Sequence, residues 1–422
     1  MRFGASRAEV GLQPAMPATQ GAPGSAGRHA RERERTRGRR AGSALAAILA
    51  SVGLVVTLGA CSPGGGAGGP APVNPDAERP FVLTGVSGMR EIAQLTGPGA
   101  VNDTEAVGVA GTDLGSMLTV GERTYFFFGD TFGIRDPASY GGQGGMWRSN
   151  TMAWSTDDDP SDGITFGGWA EDAIGLAAAL VEGDHGPGDG SGEVTKIPTH
   201  AFAIGDAMYL AYMSVSHWGD AGHWDAGYSS LAKSVDQGQS WTPLDGVRWP
   251  GDSNFIQFAT AQVREGDTDF VYIWAIPAGR FGGVQLMRVP ATEEAVEDLS
   301  SYSYFAGTDG AGGPVWSPEL ADAVTVLEPT IGEMSVLYSD ALERWLMSYS
   351  DAGSAYIREG ITPWGPWGEA IETVSGLDYA GLYGPYMNPR YVSDDGRTIF
   401  FTLSLWGPYN VFWFSVDLET AG

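Results

Sequence analysis

Residues 111–133 read GTDLGSMLTVGERTYFFFGDTFG, which is a strand-like run, a polar Gly121-Glu122 step and a second, aromatic-rich run. Apolar and β-branched residues on both sides of a two-residue turn predict a β-hairpin. The same pattern recurs in AFAIGDAMYLAYMS, AQVREGDTDFVYIWA, MSVLYSDALERWLMSYS and PRYVSDDGRTIFFTLS. Five hairpins in about 300 residues give roughly one per sixty residues, which is the period of a propeller blade.

The hairpins therefore predict an all-β fold, a five-bladed β-propeller whose inner strands they supply. Outer-strand candidates lie between them, namely SNTMAWSTD, YSSLAKSVDQGQSWTPL and GGVQLMRVP. The second resembles the Asp-box turn S-x-D-x-G-x-[ST]-W of many propellers. A pair of β-sandwiches is the alternative, but it does not need five similar units. Helical patterning is limited to TEEAVEDLS at 292–300 and EDAIGLAAAL at 171–180.

The first 60 residues have the pattern of a secretory signal peptide. Seven arginines between Arg28 and Arg40 precede the apolar run SALAAILASVGLVVTLGA, and Cys61 follows it. The tetrapeptide LGAC at 58–61 resembles a bacterial lipobox, in which the cysteine is lipidated and becomes the new N-terminus. A signal-anchor helix is the alternative, although the apolar run is shorter than the ~20 residues that span a membrane.

These features predict three segments. Residues 1–60 form the lipoprotein signal peptide, residues 61–80 a Gly/Pro-rich linker that begins at lipidated Cys61, and residues 81–422 the catalytic propeller. The protein would be extracytoplasmic and anchored by lipid to the cell membrane. Cys61 is the only cysteine in the chain, so an intrachain disulfide and a zinc site built on thiolates are excluded.

The charge of the chain limits its partners. Residues 1–60 hold nine Arg and three Glu, which leaves 15 cationic and 48 acidic residues in the mature part, a net charge of −33. Such a surface repels nucleic acid, so we expect no nucleic-acid partner and a neutral or cationic substrate. His200, His217 and His223 are too scattered for a metal site. We expect no metal, no other cofactor, and a monomer.

Two acids of the opening stretch are candidate catalytic residues. A two-residue Gly121-Glu122 turn places Asp113 directly opposite Asp130, with both side chains on one face of the hairpin. Like charges so close destabilise a sheet and raise the pKa of one partner. Two carboxyl groups of this kind are the minimum equipment for glycoside hydrolysis. The alternative is that both acids cap strand ends and accept hydrogen bonds from loop backbone.

Further candidates come from the hairpin register. Asp113 lies twelve residues before Tyr125, the first aromatic residue of its second strand. The same count from Trp345 gives Glu333, and from Ile399 it gives Met387, which is next to Asn388. These positions are predicted to lie at one rim of the propeller. We expect Glu333 to tune a pKa or bind substrate, and Asn388 to bind substrate. Glu193 precedes the second hairpin, and its side chain could bind substrate by reaching this rim. The alternative is an ordinary solvent-exposed loop acid.

The segment that follows the first hairpin adds Trp147 and Arg148, in MWRSN. Arg148 is expected to bond a sugar hydroxyl or one of the aspartates. Aromatic faces stack on sugar rings, and packing between blades is the alternative role. The tryptophans placed in predicted loops or at strand ends are Trp147, Trp218, Trp224, Trp364, Trp367 and Trp406.

GTDLGS followed by FFFGDTFG, WRSNTMAWSTDD, KIPTHAFAIGDAMYLAYMSV and AKSVDQGQSWT resembles the domain of unknown function DUF4185, over roughly residues 85–415. Members of that family are five-bladed propellers common in actinobacteria. Some are endo-acting D-arabinofuranosidases that cut the D-arabinan of mycobacterial arabinogalactan and lipoarabinomannan. The resemblance implies catalysis by aspartates at the TDLG and GDTF positions, here Asp113 and Asp130.

Together these observations predict a glycoside hydrolase that cleaves α-D-arabinofuranosyl linkages within a cell-wall polysaccharide, D-arabinan. Asp113 would be the base or nucleophile and Asp130 the general acid, or the reverse. The alternative is a propeller lipoprotein that binds carbohydrate without cleaving it. A sialidase-like enzyme is less consistent with the sequence, because 15 cationic residues in an acidic domain make a carboxylate-binding arginine cluster hard to build.

Overall fold

A computed structural model describes residues 69–73 and 79–421 of the chain. The predicted signal peptide, Cys61 and most of the predicted linker lie outside the described residues, so those expectations stay predictions. Within the described ranges the protein is built almost wholly of β-strands. No helix in these ranges has the length and apolar character needed to cross a membrane.

The first half of the chain holds strands β1 to β12. They are β1 Ala71–Pro72, β2 Leu83–Gln94, β3 Leu114–Val120, β4 Arg123–Phe128, β5 Thr131–Ile134, β6 Gly145–Arg148, β7 Thr151–Ser155, β8 Gly168–Trp169, β9 Thr195–Ile204, β10 Ala207–Trp218, β11 Trp224–Ser234 and β12 Thr242–Pro250.

The second half holds strands β13 to β25. They are β13 Gln257–Glu265, β14 Thr268–Ile276, β15 Gly282–Pro290, β16 Ser303–Thr308, β17 Pro314–Ser317, β18 Thr325–Ile331, β19 Met334–Ser339, β20 Arg344–Asp351, β21 Ser354–Gly360, β22 Ile371–Val374, β23 Leu382–Val392, β24 Thr398–Leu405 and β25 Asn410–Thr420. Among residues 69–73 and 79–421, the one α-helix is α1, Glu293–Val296, and the 3-10 segments are Glu105–Val107, Leu299–Ser301 and Leu320–Asp322.

The strands form sheets in the arrangement of a β-propeller. Four sheets have four strands each, in the orders β3-β4-β7-β8, β12-β11-β10-β9, β19-β20-β21-β22 and β2-β25-β24-β23. A seven-stranded sheet has the order β1-β13-β14-β15-β16-β17, with β18 also paired to β15, and β5 pairs only with β6. The predicted all-β propeller class is therefore confirmed, and the β-sandwich alternative is wrong.

The first strand of each hairpin faces the middle of the molecule. Strand β3 packs against β9, β9 against β13, β13 against β19, β19 against β23, and β23 against β3. Sheets that meet face to face bury both of their surfaces, and β4 shows this: Tyr125 and Phe127 belong to one core cluster, Phe126 and Phe128 to another. This two-sided burial explains why the second strand of each hairpin is so rich in aromatic residues.

The predictions for individual segments had mixed outcomes. All five predicted hairpins pair as antiparallel strands. The Asp-box turn joins β11 to β12, and its Asp236 carboxylate accepts hydrogen bonds from the backbone N–H of Ser240 (2.9 Å) and the hydroxyl of Ser234 (2.8 Å). Helix α1 lies within the predicted 292–300 segment. The helix at 171–180 is wrong, because the carboxylate of Asp172 instead caps a turn.

A strand from the beginning of the described domain completes the last sheet, because β2 pairs with β25. The chain that enters β2 is held by a buried ion pair, in which Arg344 Nε lies 2.6 Å from Glu359 Oε1. Glu359 Oε2 accepts the backbone N–H groups of Val82 and Leu83 (2.8 and 2.7 Å), and Arg344 donates to the carbonyl of Pro80 (2.8 Å). We call Arg344, Glu359 and these backbone groups the N-terminal latch.

Candidate active site

A pocket of about 280 Å³ lies where the inner strands begin. Each of the five first strands contributes a residue from the same end, because all five run in the same direction away from the pocket. The contributors are Leu114 of β3, Ile197 of β9, Phe258 of β13, Met334 of β19 and Tyr383 of β23. Asp113, Asp130 and Glu333 also line this pocket, so the three predicted acids are brought together.

The register of the first hairpin differs from the prediction at one point. Pairing is regular from Val120 and Arg123 to Ser116 and Phe127, but Leu114 then pairs with Phe128 and Gly115 is left as a bulge. Gly115 has φ +88°, a left-handed conformation that glycine adopts without strain. Asp113 consequently lies opposite Gly129, whose N–H donates to the Asp113 carbonyl (3.1 Å). The predicted direct opposition of Asp113 and Asp130 is wrong.

Asp113 is held by tyrosine hydroxyls. Tyr383 Oη donates to Asp113 Oδ2 at 2.8 Å, and the hydroxyl of Tyr409 also interacts with this carboxyl. A Cβ atom at Gly129 would collide with Asp113 Oδ1, so the position opposite this acid requires glycine. Burial raises the pKa of Asp113 to about 7, although the two tyrosines act to lower it.

Asp130 lies two residues after the end of β4 and is almost fully buried. Its Oδ1 accepts hydrogen bonds from Trp147 Nε1 at 2.7 Å and Thr195 Oγ1 at 2.6 Å. Burial raises the pKa of Asp130 to about 7, and the charge of Asp113 contributes to this rise. The two hydrogen-bond donors act in the opposite direction. Because the two carboxyl groups interact, their apparent pKa values belong to the pair.

Glu333 is buried like the aspartates but is paired with a cation. Arg280 Nη2 and Nε donate to both carboxylate oxygens at 2.6 to 2.9 Å, and Ser350 Oγ donates at 2.9 Å. Burial acts to raise the pKa of Glu333, but the guanidinium keeps it below its usual value. Glu333 therefore stays ionised, and its charge adds to the raised pKa of Asp113.

Most of the chain, including the pocket acids, falls within one known protein family. Residues 99–415 match the family described as Domain of unknown function (DUF4185). The chain belongs to the DUF4185 family. A search of curated proteins found no match.

Solved structures that resemble this DUF4185 protein do so at low identity. One is a candidate hydrolase from Bacteroides ovatus, with a TM-score of 0.48, 14% identity, and coverage of 74% of this chain and 86% of that one. Another is an exo-β-1,3-galactanase from Phanerochaete chrysosporium, with a TM-score of 0.46, 8% identity, and coverage of 79% and 67%. A family 117 glycoside hydrolase from Zobellia galactanivorans has a TM-score of 0.43, 13% identity, and coverage of 80% and 91%. At this level of similarity, neither the fold nor the activity of this chain follows from these structures.

Three predicted site residues of this DUF4185 domain do not line the pocket. Arg148 donates to the backbone carbonyls of Ala177 and Gly108 and, among the described residues, has no hydrogen bond to either aspartate. Glu193 forms an ion pair with Lys196 (2.5 Å) in a separate, more open depression beside the second hairpin.

Asn388 is the third of these residues. It is buried within β23, and its amide contacts Thr119 Oγ1 (3.0 Å) and the carbonyl of Met117 (3.4 Å). The count from Ile399 fails there because the pairing of β23 with β24 shifts register twice, between Tyr383 and Tyr386 and again after Met387. Tyr383 and Tyr386 line the pocket in place of Asn388.

Arg280, Thr195 and the tyrosines that surround the acids are site residues that the sequence patterns did not predict. Arg280 lies four residues after the end of β14 and Asp130 two residues after the end of β4, so the segment after each second strand was the available signal. Thr195 begins β9 and contacts Asp130 across the boundary between two sheets. Nothing in the local sequence pairs these two residues, because the contact depends on how neighbouring sheets pack.

The six candidate tryptophans separate into different roles. Trp218, Trp224 and Trp406 line the pocket, and Trp147 donates to Asp130. The remaining two, Trp364 and Trp367, pack against a core cluster away from the pocket. Within the part of the chain that the structure describes, no group of three or more His, Cys, Asp or Glu side chains is arranged to hold a metal ion.

Proposed function

We propose that this DUF4185 protein is a glycoside hydrolase whose catalytic pair is Asp113 and Asp130. The observation that supports this most strongly is that two buried carboxyl groups, both with a pKa raised to about 7, share one pocket. Glycosidases need one carboxyl group that carries a proton and one that does not. A coupled pair near neutrality holds that combination.

The chemistry follows from the titration of the pair. When the first carboxyl group ionises, its charge opposes ionisation of the second, so one proton remains on the pair over a range of pH. The protonated carboxyl donates its proton to the leaving oxygen of the glycosidic bond. The ionised carboxylate either attacks the sugar carbon or accepts a proton from an attacking water.

The charges of the pocket favour a neutral sugar. Arg280 is the cation that lines it, and this guanidinium is already bound by both oxygens of Glu333. A sugar carboxylate would have to displace Glu333 and would lie near two further acids. Apolar and aromatic side chains, Phe258 and Trp224 among them, form much of the remaining wall and suit the C–H faces of a sugar ring.

The finer proposal is that the substrate is D-arabinan, cut within the chain at α-D-arabinofuranosyl linkages. It rests on the resemblance of GTDLGS, FFFGDTFG and WRSNTMAWSTDD to this family. We also propose that the seven-stranded sheet, through β13, β14 and β15, is the fifth blade. The contacts of β13 with β9 and β19, which close the succession of inner strands, support this assignment.

The proposed location is outside the cytoplasm, with Cys61 lipidated after removal of residues 1–60 and residues 62–80 as the connection to the propeller. The LGAC tetrapeptide and the apolar run before it support this location. A monomer with no nucleic-acid partner is part of the same proposal and rests on the acidic composition.

The test is incubation of the mature protein with purified D-arabinan, followed by analysis of the released oligosaccharides. We expect wild-type protein to release them, and Asp113→Asn and Asp130→Asn each to lower the rate at least about 1000-fold, equivalent to about 4 kcal/mol of barrier. Asp267→Asn, at an exposed turn, is the matched control and should retain activity. Binding of the glycan without any product would instead identify a non-catalytic carbohydrate-binding propeller.

The two roles can be assigned with an activated aryl glycoside and azide. Azide replaces a missing base or nucleophile, so it should restore turnover in Asp113→Asn if Asp113 has that role and Asp130 is the acid. Restoration only in Asp130→Asn would exchange the roles.

A further inference from the structure

Four large apolar side chains near the pocket are exposed. Trp218, Trp406, Phe281 and Tyr140 expose 43%, 44%, 46% and 67% of their surfaces. Single exposed apolar residues are ordinary, but a group of aromatic side chains around one pocket is typical of a binding surface. The four residues form two pairs.

The first pair is Tyr140 and Trp406. Tyr140 lies in the loop between β5 and β6, and Trp406 in the turn after β24. A Cβ atom added at Gly407 would lie 3.2 Å from the Tyr140 ring, and one at Gly141 would lie 2.6 Å from the Trp406 indole, so the two rings are neighbours. Trp406 is supported edge-on by Tyr409, with ring centroids 5.6 Å apart. We call Tyr140 and Trp406 the first platform.

The second pair is Trp218 and Phe281. Trp218 ends β10 and packs against Trp224, with centroids 5.7 Å apart. Phe281, in the loop after β14, stacks on His223 at 4.8 Å and an interplanar angle of 21°. Because His223 and Trp224 are adjacent in the chain, they link the two exposed rings. We call Trp218 and Phe281 the second platform.

The two platforms lie on different sides of the pocket. The first is carried by the turn after β24 and by the β5–β6 loop, which comes after β4 in the chain. The hairpin partners of β24 and β4 are β23 and β3, and these two strands pack against each other. The second is carried by the segments that end β10 and follow β14, whose partner strands β9 and β13 pack against each other. The inner strands thus place one platform at the β23–β3 boundary and the other at the β9–β13 boundary.

We propose that the two platforms are sugar-binding subsites on either side of the acids, and that the substrate is a glycan chain crossing the pocket. This inference rests on the proposed glycosidase function and adds the residues that would bind the glycan on each side of the cleaved bond. A chain that stacks on both platforms places an internal linkage near Asp113 and Asp130. The glycan is then bound on both sides of the cleaved linkage, which supports the proposed cleavage within the chain.

The occupant is a neutral sugar chain because of the surroundings of the platforms. Sugar rings present apolar C–H faces to an aromatic ring and hydroxyl groups at their edges. Hydroxyl partners lie between the platforms: the carboxyl groups of the pocket and the side chain of Gln257. An anionic chain would be repelled by the three acids, and a purely apolar chain would leave these groups unsatisfied.

The test compares D-arabino-oligosaccharides of two to eight residues as substrates. For wild-type protein we expect kcat/KM to rise with chain length until both platforms are occupied. Trp218→Ala and Trp406→Ala should each lower kcat/KM on the longest chain about tenfold, the size of one stacking contact, and flatten the rise. Trp406→Phe, which keeps an aromatic face, should recover most of the loss. Leu377→Ala, at an almost fully exposed turn residue away from the pocket, is the control.

A binding measurement separates this inference from the proposed function. The longest oligosaccharide is titrated into the Asp113→Asn/Asp130→Asn protein, with and without Trp218→Ala or Trp406→Ala, and folding is checked by circular dichroism. Tryptophan-dependent binding without hydrolysis by wild-type protein would overturn the enzyme and keep the platforms. Hydrolysis whose rate and binding do not respond to either tryptophan would overturn the platforms and keep the enzyme. Absence of both binding and hydrolysis would overturn both.

Discussion

The pocket and the N-terminal latch both bury carboxylates, but they compensate the buried charge differently. In the latch, the Glu359 carboxylate has the Arg344 guanidinium at 2.6 Å and two backbone N–H groups. In the pocket, Asp113 and Asp130 have only neutral donors, namely hydroxyls and an indole N–H. Among the described residues, neither aspartate forms an ion pair with a cationic side chain.

The difference shows what an active carboxyl group needs and what a structural one needs. A buried carboxylate with a cation partner stays ionised and holds chain segments together. Neutral donors stabilise the charge less, so burial raises the pKa of Asp113 and Asp130 to about 7. Glu333 provides an internal check, since it lines the same pocket but its Arg280 partner holds its pKa below the usual value.

The largest expected effect on stability is at the latch. Glu359→Gln leaves the Arg344 guanidinium buried without a counter-charge, which should lower the free energy of unfolding by about 3–5 kcal/mol. Urea unfolding monitored by tryptophan fluorescence measures it. Activity per folded molecule should equal that of wild-type protein, because the latch does not line the pocket. An unchanged unfolding midpoint would show that the latch does not hold β2.

The aspartates should have the opposite effect on stability. Each folded pKa is raised from 3.8 to about 7, so the folded state holds a proton that the unfolded state loses between those values. Stability contributed by these groups therefore falls as pH rises from about 4 to 7 and stays low above 7. Asp113→Asn should be more stable than wild-type protein by up to about 4 kcal/mol at pH 8, with little difference at pH 4. A destabilised variant at pH 8 would contradict this.

A smaller effect is expected at Tyr383. Tyr383→Phe removes the hydroxyl that donates to Asp113 Oδ2 and holds the pKa of that carboxyl down. The pKa of Asp113 should rise, and the limb of the pH–rate profile that reports it should move by up to about one unit. Tyr386→Phe, at a neighbouring pocket residue, is the control. A profile that changes height but not position would show that Tyr383 acts on binding alone.

The features that the sequence predicted correctly are those that depend on local chemistry. The turn residues and the apolar residues beside them predict each hairpin. An acid at the start or end of such a hairpin then lies at the end of the hairpin that faces the pocket. The register slip at Gly115 also had a local signal, since a glycine inside a strand often marks a bulge. The two-residue Gly121-Glu122 turn sets the pairing only as far as this bulge.

The rest depends on contacts between sheets, which no local pattern contains. Thr195 reaches Asp130 from the neighbouring sheet, and Arg280 reaches Glu333 across a separation of 53 residues. Strands β16 to β18 extend one sheet with segments of six, four and seven residues, in which buried and exposed positions do not alternate clearly. Arg148 and Asn388 do not line the pocket for the same reason, because their hydrogen-bond partners lie in distant segments.

The most direct test of the account is a titration of the aspartate carboxyl groups by carbon-13 NMR. Protein labelled at aspartate Cγ is compared with Asp113→Asn and Asp130→Asn, which assign the two signals. The account predicts that both signals titrate near neutrality, well above 3.8, and that removing either aspartate lowers the apparent pKa of the other. Two signals that titrate independently near pH 4 would contradict it.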